Sequence, residues 1–248
     1  MYPSPRAALS LSALLLVLAT STTTPRARAG DGDWVDLSTL AAYKAPTEGW
    51  AEVGLVGVDP EDPRKLASGP GQGAICNGPS GKAKNLVTRE VFGDVEMHVE
   101  FYIPKGSNSG VKFQSVYEVQ IFDSHGVKTP GGGDSGGVYP RSEEKPKYHH
   151  IDDGHAPLVN ASKPSGEWQV LDMTFRAPRF DASGKKVADA RISATLNGRL
   201  VQDNLKVETP TGSAWKNKEN PTGPILLQAD HGPVAFRNVR ARSLVTAR

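Results

Sequence analysis

The chain predicts an all-β fold, an antiparallel sandwich or jelly roll of two sheets. Three observations carry this expectation. Hydrophobic residues alternate with a two-residue period in one segment after another, no stretch sustains a helical pattern, and turn-forming residues are abundant. Gly (26) and Pro (19) make up about 18% of the 248 residues, against a usual 12% or so, which favours many short strands joined by turns.

The first segment reads as an address rather than as structure. Arg6 supplies a positive start, Ala7 to Ala19 is an apolar run, and Ala27-Arg-Ala29 before Gly30 is a small-x-small cleavage site. This order is that of a secretory signal peptide over residues 1–29, leaving a domain over 30–248. The apolar run falls short of the roughly 20 residues that cross a bilayer, so no membrane span is expected. The expectation is a soluble, exported protein, periplasmic or extracellular. Cys76 is the sole cysteine, which excludes an internal disulfide and reads as a small buried apolar residue. Lys+Arg (29) nearly balance Asp+Glu (27) and are interspersed with them, which leaves no footprint for nucleic acid.

Along the rest of the chain, Ser38 to Tyr43 is too short for a helix, and Pro46 stops it. Val95 to Ile103 is the cleanest strand, with Val95, Met97, Val99, Phe101 and Ile103 on one face. Asn108 to His125 reads as a strand with Val111, Phe113, Ser115, Tyr117, Val119 and Ile121 on the core side. Gln114, Glu118 and Gln120 share its other side, and the chain leaves through Asp123 and His125. Gly126 to Gly166 breaks the rhythm with a triple glycine, five prolines, Tyr139, Tyr148, His149, His150 and His155; a loop of that length in a compact domain is expected to be functional. Gln169 to Arg176 is another alternating strand. Arg191 to Gln202 is a hairpin around Asn197-Gly198, the pair that a two-residue primed turn prefers. Ile225 to Ala229 and Val234 to Val239 are expected to form a further hairpin through Asp230-His-Gly-Pro233.

Several strings then point to a family. Asn108-Ser-Gly, Tyr117-Glu-Val-Gln-Ile-Phe-Asp-Ser124, Gly136-Gly-Val-Tyr139, Pro164-Ser-Gly-Glu-Trp-Gln169, Leu196-Asn-Gly198, Gly223-Pro-Ile-Leu-Leu-Gln228 and His231-Gly-Pro-Val-Ala-Phe-Arg-Asn238 together resemble the 3-keto-disaccharide hydrolase domain. The resemblance runs in order from about Trp34 to Leu244. It implies a concanavalin-like sandwich acting on glycosides whose sugar carries a ketone at carbon 3. It further implies a carbohydrate substrate and an upstream sugar 3-oxidoreductase that installs the ketone.

That ketone acidifies the proton on carbon 2, so cleavage needs a base, a group to hold the developing oxyanion and a donor for the leaving group. Glu118 and His125 are the acid/base candidates, with Asp123 orienting or protonating. Gln120 and Gln228 suit hydroxyl recognition, since an amide both donates and accepts; Asn108, Tyr139, Arg141 and His231 are further wall candidates. The sequence decides no cofactor: a divalent metal held by Glu118 and His125 would stabilise the enediolate as a Lewis acid, whereas His149-His150 with Asp152 and Asp153 resembles a metal cluster without regular ligand spacing. Two other functions fit a sandwich. A retaining endo-glucanase would need a paired acid where this chain has Gln120 and the short Asp123. A lectin-like carbohydrate-binding module would have no use for Glu118, Asp123 and His125 together.

Overall fold

The computed structural model describes Met1 and residues 32–244, so the signal peptide expected over 1–29 lies outside the described residues apart from Met1. The chain runs through β1 (Val35–Asp36), a single 3-10 turn (Leu40–Ala42), β2 (Ala51–Val58), β3 (Leu66–Cys76), β4 (Leu86–Phe92) and β5 (Val95–Tyr102). There follow β6 (Asn108–Phe113), β7 (Tyr117–Phe122), β8 (Ser142–Glu143), β9 (His149–His150) and β10 (Gln169–Arg176). The last are β11 (Arg179–Phe180), β12 (Lys186–Ala188), β13 (Ala190–Leu196), β14 (Arg199–Val207), β15 (Gly223–Leu227) and β16 (Ala235–Ser243). Among the described residues no helix is long and apolar enough to cross a membrane.

Two antiparallel sheets carry the fold. The larger has the order β14-β13-β10-β5-β16-β3-β2 with β1 added beside β16, and the smaller the order β4-β15-β6-β7. Alternation explains the pairing of faces. Val95, Met97, Val99 and Phe101 of β5 and Leu171, Met173 and Phe175 of β10 turn inward from the large sheet. Val111, Phe113, Tyr117, Val119 and Ile121 meet them from the small one. Phe113 stacks on Phe175 with centroids 4.8 Å apart and rings 5° from parallel, joining the sheets at the core. Removing either ring would cost about 3–5 kcal/mol through lost burial and the void left behind. Cys76 is buried in a smaller cluster with Val53, Leu66 and Tyr102, where burial pushes its thiol pKa up. Trp168 packs on Tyr102 at 5.3 Å beside that cluster, with the Arg237 guanidinium 4.0 Å over its ring.

Two sequence expectations are corrected. Asn108 to His125 is a hairpin, not one strand: Gln114 (φ 52°) and Ser115 (φ 62°) both adopt left-handed backbone and reverse the chain between β6 and β7. Neither is Gly, Asn or Asp, so the residues that advertise a primed turn are missing. The facing pattern survives because Phe113 and Tyr117 sit opposite each other, four residues apart, which preserves the two-residue parity. Ser115, expected on the core face, belongs to the turn. The second correction concerns β15 and β16, which do not pair. β15 lies between β4 and β6 in the small sheet and β16 between β5 and β3 in the large one, so residues 228–234 cross from sheet to sheet. Asn77 clamps that crossing: its side-chain amide donates to Ala229 O and Gly232 O, and its carbonyl accepts from Val234 N at 2.7 Å. The hairpin around Asn197-Gly198 does form, with φ of 51° and 77° at the two turn residues.

Candidate active site

The β6–β7 hairpin places its charge chemistry on the face turned away from the core. Its register sets Lys112 opposite Glu118 and Gly110 opposite Gln120. Lys112 Nζ lies 3.0 Å from Glu118 Oε2. Gly110 makes room for the carboxylate: a Cβ there would fall 2.5 Å from Glu118 Oε1. The long loop then pairs with the free edge of β7. Gln120 N donates to Gly137 O at 2.8 Å, Val138 bridges Val119, and Tyr139 N donates to Glu118 O at 3.1 Å. Thr211 Oγ1 accepts from Glu118 N at 3.0 Å. Glu118 is left 2% exposed, yet it stands outside the apolar core and shares a cavity with Tyr139, Ser142 and Tyr148 of the loop.

Between the hairpin and the loop lies a cavity of about 100 Å³. Lys112, Glu118 and Asn108 line it from the hairpin; Tyr139, Ser142, Glu144 and Tyr148 from the loop; Gly212 and Ser213 from the segment after β14; and Gln228 and His231 from the crossing after β15. Gln120 Nε2 donates to Asn108 Oδ1 at 3.3 Å and so orients it. Gln120 Oε1, Gln228 Oε1 and Ser142 Oγ are buried with no hydrogen-bond partner among the described residues. Buried polar atoms are normally paired, so these acceptors suit a ligand that brings its own hydroxyl donors. His231 Nδ1 sits 2.7 Å from Asp230 Oδ1. Burial raises the Glu118 pKa, and the positive charge of Lys112 offsets that rise only in part. A carboxyl so placed is a stronger base than one in water and remains ionisable because an ammonium faces it.

The loop contributes a second group. Tyr139 Oη lies 2.9 Å from Tyr148 Oη, and His150 Nε2 stands 3.2 Å and 3.1 Å from the two hydroxyls. Burial first, then the bond with Tyr148 and the Glu118 charge, push the Tyr139 phenol pKa up, so it keeps its proton.

Of the sequence candidates, the structure gathers Glu118, Asn108, Tyr139, Gln228 and His231 around one cavity, with Gln120 bonded to Asn108. Asp123, His125 and Arg141 do not line it. Asp123 Oδ2 accepts from Gly106 N at 2.9 Å, and exposed His125 has Nδ1 3.0 Å from Ser162 O. Arg141 pairs with Asp152 and faces a neighbouring cavity of about 350 Å³ that shares the Tyr139 wall. Among the described residues no group of three or more His, Cys, Asp or Glu is placed to hold a metal ion, and the cation beside Glu118 is Lys112. Lys112, Ser142, Glu144, Tyr148, Gly212 and Ser213 also line the cavity and were not among the sequence candidates for the site. The hairpin register would have found Lys112; nothing in the spacing of the loops marks the others.

Residues 40–242 match the family of the 3-keto-alpha-glucoside-1,2-lyase-like domain. No curated protein matches the chain. Two solved structures from Parabacteroides distasonis ATCC 8503, both provisionally described as glycosyl hydrolases, share the fold. One is 24% identical, with a TM-score of 0.54 over 79% of each chain. The other is 19% identical, with a TM-score of 0.55 over 86% of this chain and 100% of its own. The family match reaches from the 3-10 turn to the last strand and takes in every residue lining the Glu118 cavity, and on that ground this chain belongs to the 3-keto-alpha-glucoside-1,2-lyase-like domain family.

Proposed function

We propose that the protein cleaves 3-keto-glycosides by removing the proton on carbon 2 and eliminating the substituent on carbon 1. The observation that carries this reading is Glu118: a buried carboxylate of raised pKa, 3.0 Å from an ammonium, in a cavity with unpartnered hydroxyl acceptors. Glu118 takes the proton from carbon 2, and the electron pair moves toward the ketone oxygen as an enediolate. Lys112 and Asn108 supply fixed N–H donors for that oxyanion, where they act in a site shielded from water. The bond between carbon 1 and the aglycone oxygen then breaks, leaving an unsaturated keto sugar. Water adding across the new double bond gives the free 3-keto sugar, the hydrolase outcome; without it the enzyme is a lyase. At about 100 Å³ the cavity takes the reacting edge of a pyranose, with the rest of the ligand lying over the exposed rim of Tyr148 and His231. In this reading the protein works after export, on a substrate made by a sugar 3-oxidoreductase.

The test is to incubate purified protein in deuterated water with a methyl 3-keto-glucoside and with its unoxidised parent. Exchange at carbon 2 and release of methanol are expected from the keto sugar alone, and Glu118→Gln is expected to lose both. Cleavage of the parent at a comparable rate would overturn the elimination, and saturable sugar binding with no turnover of either compound would favour the lectin-like alternative.

A further inference from the structure

Base catalysis by Glu118 uses neither Tyr139, Tyr148 nor His150, yet the loop brings these three together at the mouth of the same cavity. Both tyrosines line it, and the imidazole meets each edge-on, with centroids 5.3 Å and 5.6 Å away at 85° and 76°. The placement is built from several elements at once. The backbone N–H of Tyr139 is tied to Glu118 O, while His150 is fixed in β9, where it pairs with Ser142 of β8. Tyr139 is half-buried and senses the Glu118 charge; Tyr148, at 46% exposure, and His150 reach solvent. The triangle therefore runs from the reacting end of the cavity to water, and each member is able to give and take a proton at the atom that faces the other two.

We infer that this triangle is the proton-delivery group for the departing aglycone, with Tyr139 as donor and Tyr148 and His150 as the route that reprotonates it. The inference rests on the reading of Glu118 as base and supplies the acid which that reaction needs. As the bond from carbon 1 breaks, its electron pair passes to the aglycone oxygen, and the Tyr139 O–H bond breaks to protonate that oxygen. The phenolate recovers a proton through Tyr148 and His150 from water, and Glu118 releases the carbon 2 proton to solvent, so the protein returns to its starting state. A phenol held above its ordinary pKa is well suited to this, since it enters the step protonated and gives up its proton only to a strongly basic alkoxide.

The experiment compares two 3-keto-glucosides, one with a methyl and one with a nitrophenyl aglycone, in wild type, Tyr139→Phe, Tyr148→Phe and His150→Gln. Methoxide needs a proton to leave and nitrophenolate does not. Tyr139→Phe is expected to lose about 10²-fold or more in methanol release, and the other two about tenfold, while nitrophenol release and carbon 2 exchange stay within a few-fold of wild type. Persisting exchange also shows that each variant is folded. Equal losses for both aglycones, no loss for either, or loss of exchange together with cleavage would overturn the proton-delivery assignment. A wild-type protein that neither exchanges nor cleaves would instead overturn the reading of Glu118, so the two failures are distinct.

Discussion

Asp94 and Glu118 are both withdrawn from water, at 7% and 2% exposure, and their surroundings treat them in opposite ways. Asp94, between β4 and β5, accepts from Arg176 Nη1 at 3.1 Å, Ala177 N at 2.9 Å, and Arg179 Nη1 and Nη2 at 2.9 Å and 2.7 Å. Burial pushes its carboxyl up, but those donors outweigh it and hold the pKa below the usual carboxylate range. Among the described residues Glu118 has one side-chain partner, Lys112, and burial prevails, so its pKa is raised. Asp94 is a clasp whose lone pairs are filled by the protein. Glu118 is kept short of donors and faces a cavity, as a group does when its proton is meant to move.

The sharpest way to break this contrast is to neutralise each acid and measure both activity and stability. Glu118→Gln is expected to lower turnover of a 3-keto-glucoside by about 10²–10⁴-fold, the usual worth of a general base, with a melting temperature no lower than wild type. Asp94→Asn is expected to do the reverse. It leaves Arg176 and Arg179 without their carboxylate, at a cost of about 2–4 kcal/mol, toward the lower end because both guanidiniums are partly exposed. Urea unfolding reads that loss, and turnover per folded molecule should hold. An Asp94→Asn protein that is stable but inactive would erase the distinction.

Gly110→Ala sharpens the contrast from the other side by moving Glu118 without changing its charge. The new methyl would meet Oε1 at 2.5 Å, and the carboxylate has to swing away from its seat beside Lys112. A displacement on the order of 1 Å is worth up to about 10²-fold in rate, so turnover is expected to fall ten- to a hundredfold. Full activity in this variant would mean that the position of Glu118 does not govern the chemistry.

How much of this was legible in the sequence depends on what each feature leaves behind in a pattern. The alternation of β5, β7 and β10 is written in apolar residues at every second position, and it puts Glu118 and Gln120 on the non-core face whether or not the intervening turn is seen. The turn itself is silent, because Gln114 and Ser115 take positive φ without glycine or asparagine; with it went the pairing that sets Lys112 against Glu118. The partners of Asp123 and His125 were equally hidden. Both follow Glu118 closely in sequence, but β7 ends at Phe122, and past that point nearness along the chain no longer implies a shared face. Tyr148 and His150 arrive from a loop with no period, and the crossing at residues 228–234 resembles a hairpin because strand patterns do not say which sheet a strand joins.

The smallest expected effect is also the most discriminating, because it turns on sign rather than size. For Asp94 the unfolded pKa is about 3.9 and the folded value lower. Its contribution is therefore present above about pH 3.9 and lost as pH falls through the folded value. For Glu118 the unfolded pKa is about 4.3 and the folded value higher. Its contribution is most favourable below about pH 4.3 and is lost as pH rises through the folded value, because the protein must then hold an ionised group out of water. Unfolding free energies of wild type minus Asp94→Asn should climb with pH in the acid range. Those of wild type minus Glu118→Gln should decline above about pH 4.3 and then level. If both differences rose with pH, Glu118 would be as fully paired in solution as Asp94, and its carboxylate would have lost the basicity that proton removal from carbon 2 requires.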